Sequence, residues 1–163
     1  MMINFFKAKP QKPKSLGQMG EERAQEVYKK LGYKIIAKNE YNKKGKRVGE
    51  IDFIAKDKQS VVFVEVKTRT AGADKFGKGA ESVNIYKQQK ILRAVKMYFL
   101  RNPKMLEFKP QIDVCLMEYG EFDPVRSKAP QALAGAFSNR TSNGVDKTFK
   151  PAIIIPNAVE DWS

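Results

Sequence analysis

The sequence predicts an α/β protein in which helices flank a mixed central sheet, and two observations carry that expectation. The elements follow one another as helix, three strands, helix, strand. The two middle strands are separated only by the polar stretch 56–60 and so pair as a hairpin, whereas the later strand is fed by a helical crossover.

The elements can be justified in chain order. Residues 7–14 alternate lysine with proline, so residues 1–14 are expected to be a flexible basic tail. Ser15 with Gln18 forms a capping pair for a helix running to about Leu31, where Gly32 stops it. Residues 33–37 make a short strand. Residues 49–55 and 61–67 are the two middle strands. A loop over 70–81 contains Gly72, Gly77 and Gly79 together with Lys75 and Lys78. The second helix spans roughly 83–100 and ends before Pro103. Residues 111–118 alternate as a further strand and close a core domain over 15–118. Residues 119–151 shift to Pro, Ser, Asn, Gly and Lys and are expected to be an insertion or long loop. Residues 152–155 supply a last strand. Asn157 and Glu160 are spaced as the N-cap and third residue of a short helix, so that residues 152–163 rejoin the core.

Composition limits the chemistry. A chain of 163 residues has room for one domain, and 42% hydrophobic with 30% charged residues suits a globular protein with a polar surface. The formal net charge of +13 points to a polyanionic partner, the plainer alternative being a basic protein that coats anionic lipid. With no histidine and a single cysteine, His-activated nucleophiles, His-ligated zinc, multi-Cys zinc sites and intrachain disulfides are excluded. Acid, base and metal work must fall to Asp, Glu, Lys or Tyr. Cys115 alternates with apolar neighbours and is expected to be a small buried side chain. The apolar start of the chain is too short for a secretory core and no later run approaches a membrane span, so a cytoplasmic protein is expected.

Three residues stand out on the middle strands. Side chains two apart share a face, so Glu65 and Lys67 continue the row of Val61 and Phe63. If the hairpin turn is centred between Lys58 and Gln59, Asp52 lies directly across from Glu65 on that face. Two carboxylates so placed repel, and a bound cation removes the conflict. Hard ions such as Mg²⁺ or Mn²⁺ are held by one or two carboxylates plus a phosphate. An amine alongside, Lys67, can orient or deprotonate a nucleophilic water or stabilise charge on the phosphate. The competing explanation is a solvated ion pair at a strand end, which contributes little. Glu21 borders the face of the first helix on which Gly17, Gly20, Ala24, Tyr28 and Leu31 gather; from helix geometry alone it is equally well an ordinary surface charge.

Four segments carry a family resemblance: 17–24 (GQMGEERA), 32–36 (GYKII), 49–55 (GEIDFIA) and 62–69 (VFVEVKTR). In that order they resemble the YraN-like proteins, a bacterial family similar to restriction-endonuclease-like, PD-(D/E)XK, nucleases and archaeal Holliday-junction resolvases. The resemblance covers about residues 15–118. It implies an α-β-β-β-α-β core with Glu21, Asp52, Glu65 and Lys67 as the catalytic set. A Mg²⁺ or Mn²⁺ ion would sit on Asp52, Glu65 and the Val66 backbone carbonyl, and Lys87 or Gln88 would border the site. The resolvase-like relatives act as dimers, so a homodimer is also implied. The stretch after Gly120 departs from the family pattern.

Basic residues bracket the site strands in sequence. Lys43, Lys44, Lys46 and Arg47 precede the Asp52 strand; Arg69, Lys75 and Lys78 follow the Lys67 strand; Lys87 and Lys90 open the second helix. Such contacts bind phosphates without reading sequence. With no stacking array or zinc finger in the sequence, recognition of shape is expected rather than base readout. The reading that results is a metal-dependent endonuclease acting on DNA, branched or damaged forms included. Its rivals are a non-catalytic nucleic-acid-binding protein on the same fold and a basic scaffold that binds protein or membrane.

Overall fold

A computed structural model of the chain describes residues 13–41, 50–71, 85–121, 147–150 and 152–158. It contains α1 (Leu16–Lys30), β1 (Lys34–Tyr41), β2 (Glu50–Lys56), β3 (Ser60–Thr70), α2 (Ile85–Arg101), β4 (Lys109–Glu121), β5 (Lys147–Phe149) and β6 (Ile153–Ile155), with a 3-10 turn over Pro103–Glu107. The strands form one mixed sheet in the order β1-β2-β3-β4-β5, and β6 also pairs with β4. β3 and β4 are parallel and in register from Ser60–Lys109 to Thr70–Tyr119; the other pairings are antiparallel. The chain is therefore a mixed α/β protein, as the element order predicts.

Local chemistry sets both ends of α1. The Ser15 side chain accepts from the Gln18 N–H, and the Gln18 side chain accepts from the Ser15 N–H at 2.9 Å. Such a cap stabilises a helix by about 1 kcal/mol. At the other end Gly32 takes φ +93°, and the Tyr33 and Gly32 N–H groups return to the Tyr28 and Lys29 carbonyls, a Schellman closure. The β2–β3 turn is held by Asp57, whose Oδ1 accepts from the Gln59 and Ser60 N–H groups at 2.9 and 2.6 Å. Those two bonds, Gln59 first, hold its carboxyl below the ordinary range.

Each face of the sheet buries a separate cluster. Ala24 and Tyr28 of α1 pack with Phe53, Ala55, Val62, Val64, Cys115 and Met117. On the other face Ile91, Val95 and Tyr98 of α2 pack with Ile54, Val61, Phe63, Ile112 and Val114. The Phe63 ring meets Tyr98 and Phe99 edge-on, with centroids 5.4 and 5.5 Å apart. Burial of large side chains on both faces is what makes β3 an almost continuous apolar run. Cys115 is fully buried, as expected, and burial pushes its thiol up to about 12.

Several elements differ from expectation. β1, β3 and β4 run three to four residues beyond their expected ends, because pairing with neighbouring strands carries polar residues along with apolar ones. β5 was not foreseen; it lies inside the expected insertion and pairs with the end of β4. Asn157 has φ +51° and sits in a turn, not in the extended conformation of an N-cap. Glu160, residues 1–12 of the basic tail, most of the 70–81 loop and the centre of the insertion lie outside the described residues. In β1, Asn39 adopts φ +48°. Among the described residues no helix is long and apolar enough to cross a membrane.

Candidate active site

The hairpin turn fixes the relation between the two middle-strand acids. β2 and β3 pair from Lys56–Val61 to Phe53–Val64, and one further step in the same register sets Asp52 opposite Glu65. At that step a side chain takes over from the backbone ladder. Asp52 Oδ2 accepts the Val66 N–H at 2.6 Å. The carboxylate of β2 is thereby anchored on the strand that carries Glu65 and Lys67.

Glu65 follows Val61 and Phe63 on the α2 face and is only 5% exposed. Its Oε1 receives two ammonium groups, Lys67 Nζ at 2.8 Å and Lys87 Nζ at 3.1 Å. Its Oε2 is buried and has no hydrogen-bonding partner among the described residues. A buried carboxylate oxygen normally finds a donor, and leaving one without costs about 1–3 kcal/mol or more. One oxygen is thus doubly served and the other open.

Burial pushes Asp52 up to about 7, and the charge of Glu65 adds to the rise; the Val66 N–H bond offsets it only in part. The proton and a cation would compete for the same oxygens. Glu21 comes from the opposite layer. Gly20 brings α1 so close to β3 that a Cβ there would lie 1.9 Å from the Thr68 hydroxyl oxygen. Glu21, the next residue, is raised above its ordinary value by burial and then by the charges of Glu50 and Glu65. After burial, the charges of Glu65 and Glu21 each raise Asp52 and that of Glu65 raises Glu21, so the three acids are electrostatically coupled.

Among the described residues no group of three or more His, Cys, Asp or Glu side chains could hold a metal ion. Asp52 and Glu65 make a pair, one short of such a group, so a cation resting on them would need its remaining ligands from backbone, water or substrate. The open Oε2, with the Asp52 carboxyl raised by burial and then by the charge of Glu65, fits that role.

Of the residues expected to meet nucleic acid, Lys87 touches the site directly through Glu65. Gln88 follows it on α2 and is half-buried, Arg69 is exposed near the end of β3, and the Lys90 ammonium lies 4.3 Å from the centre of the Tyr86 ring. Lys43, Lys44, Lys46, Arg47, Lys75 and Lys78 lie outside the described residues. Two features escaped sequence reasoning. Glu50 bears on Glu21 electrostatically, though its position beside Asp52 in β2 offered a clue. Asp113 is buried and bonded to Tyr28, a pairing across 85 positions that no local pattern reveals.

With this geometry in place, comparison with known sequences gives a family. Residues 20–117 match the model of the uncharacterised protein family UPF0102. The chain belongs to that family, the YraN-like proteins of the sequence resemblance. A UPF0102 protein of Caldanaerobacter subterraneus subsp. tengcongensis is 41% identical over 101 residues, 62% of this chain and 77% of the relative. One from Clostridium kluyveri is 35% identical over 114 residues, 70% of this chain and 88% of the relative. The family match runs from Gly20 to Met117 and so includes Glu21, Asp52, Glu65 and Lys67.

Proposed function

We propose that this UPF0102 protein is a Mg²⁺- or Mn²⁺-dependent endonuclease that hydrolyses phosphodiester bonds in DNA, branched or damaged DNA being its substrates. The observation that carries the proposal is the open, buried Oε2 of Glu65, on the strand to which the Val66 N–H anchors the Asp52 carboxyl. Asp52, Glu65 and the Val66 carbonyl would hold the ion. When bound, it would polarise a phosphoryl oxygen and make water a stronger acid.

The protein's own groups supply the rest. The Val66 N–H fixes the Asp52 carboxylate, so that little reorganisation is needed on loading. Lys67, held by Glu65, would offer its ammonium to a scissile phosphate as charge develops there. Lys87 adds a second positive charge from α2. Glu21, raised above its ordinary value by burial and then by Glu50 and Glu65, would complete the acidic set. The net charge of +13 would draw the polyanion in from solution.

Titration calorimetry with Mn²⁺ tests the ion and nicking of supercoiled and four-way-junction DNA tests the chemistry. The parent should take up Mn²⁺ and cut, Glu65→Ala should fail to bind the ion, and Lys67→Ala should bind but cut poorly. Equal cutting by parent and Lys67→Ala would place the activity elsewhere or in a contaminant. One observation favours a second reading, a nucleic-acid-binding protein without cleavage: Lys67 and Lys87 already balance the Glu65 charge without an ion. That reading predicts salt-sensitive DNA binding with no uptake of Mn²⁺.

A further inference from the structure

Tyr86 lies in the first turn of α2 and is 66% exposed. The next residue, Lys87, reaches Glu65 Oε1 at 3.1 Å, so the ring stands one helical residue from a group in contact with the site. The Lys90 ammonium lies 4.3 Å from the ring centre. Taking 100° per residue, Tyr86, Lys90 and Arg93 fall on one line along the helix, and Arg93 is also exposed. An aromatic face is thus followed by two cations, and the line begins beside the candidate catalytic carboxylates.

We infer that Tyr86 is a stacking platform for an unpaired nucleotide base, with Lys90 and Arg93 receiving the phosphates that follow it. The inference rests on the nucleic-acid reading of the site and narrows its substrate class to DNA with an unpaired base near the cut. Any base presents a π-face, so one exposed ring selects for unstacked bases without selecting a sequence. In intact duplex the bases are stacked on one another and offer Tyr86 nothing. Recognition of shape by backbone contacts alone, as expected from the sequence, would give a preference that does not depend on the Tyr86 ring. Lys90 rests over one face of the ring, so a base would stack on the other, and the ammonium would attract the adjacent phosphate.

The test measures binding in EDTA, where no cutting occurs, so that it does not depend on the hydrolytic reading. The ligands are two DNAs of equal length, one a continuous duplex and one carrying a single unpaired 2-aminopurine in an otherwise paired duplex. The parent should prefer the second and quench its fluorescence. Tyr86→Ala should lower that preference about tenfold. Tyr86→Phe should keep both preference and quenching, since it retains the ring. A parent without preference, or a Tyr86→Ala protein that keeps it, would overturn the inference even if Mn²⁺-dependent nicking is observed. Loss of preference and quenching in Tyr86→Ala would support it even if no nicking is found, in which case only the hydrolytic reading falls.

Discussion

Two buried acids sit almost side by side in adjacent strands, and they are served quite differently. Asp113 of β4 faces α1; its Oδ2 accepts the Tyr28 hydroxyl at 2.8 Å, and its Oδ1 accepts from Gln111 Nε2 at 2.7 Å and the Asn157 N–H at 3.3 Å. Glu65 of β3, one register step away, faces α2 with two ammonium groups on one oxygen and no donor on the other. The Asp113 shell consists of neutral groups drawn from α1, β4 and the turn after β6. It closes on itself and ties those segments together. The Glu65 shell is charged, lopsided and beside a second carboxyl. A carboxylate with both oxygens served has no call on a ligand, and one with an open oxygen does.

The largest effect should come from closing the open oxygen. Glu65→Gln keeps size and one acceptor but lowers the site's negative charge. Mn²⁺ affinity by calorimetry and nicking rate should each fall at least about a hundredfold, with the fold kept by circular dichroism. A Gln variant that binds Mn²⁺ like the parent would erase the distinction between the two acids.

Asp52→Asn sharpens the comparison through pH. The Asn side-chain oxygen can still accept the Val66 N–H, but the group no longer titrates. In the parent, the folded state keeps the Asp52 proton up to about pH 7, above the unfolded value near 3.8. The proton's contribution is therefore fully present below about pH 4 and is lost as pH rises to about 7. Urea titrations from pH 5 to 8 should show the parent losing on the order of a few kcal/mol relative to the Asn variant. Mn²⁺ should restore stability at pH 8 to the parent alone, and its affinity should climb with pH up to about 7.

Tyr28→Phe attacks the closed shell instead. It removes the hydroxyl donor to a buried carboxylate and should cost about 1.5–3 kcal/mol by urea denaturation, with Mn²⁺ uptake unchanged. Ser15→Ala gives the smallest change, about 1 kcal/mol from the lost cap, detectable as a small drop in melting temperature. If Tyr28→Phe abolished ion uptake while leaving stability intact, the roles assigned to the two acids would have to be exchanged.

What could be read in the chain follows the range of the interactions. Ser15 with Gln18, Gly32 and the polar stretch 56–60 act within a few residues, and from them the ends of α1 and the register of a hairpin centred between Lys58 and Gln59 were accessible. The facing of Asp52 and Glu65 follows from that register and from the two-residue alternation of strands. The shared Glu65 oxygen required α2 to be docked, which no periodicity states. Asp113 was visible only as a strand residue, because Tyr28 and Asn157, its partners, lie far away in sequence. β5 is three residues long, too short for alternation to distinguish it from the Ser- and Asn-rich stretch before it.

The outermost strand at one end of the sheet, β1, has a consequence for self-association. Strand pairing with a neighbouring molecule needs a regular row of peptide groups and a surface that tolerates close approach. β1 offers exposed lysines at 34 and 38 and a left-handed residue at Asn39 that breaks the row. A second chain approaching along β1 would meet charge and a misdirected backbone, so this border is poorly suited to templating aggregates.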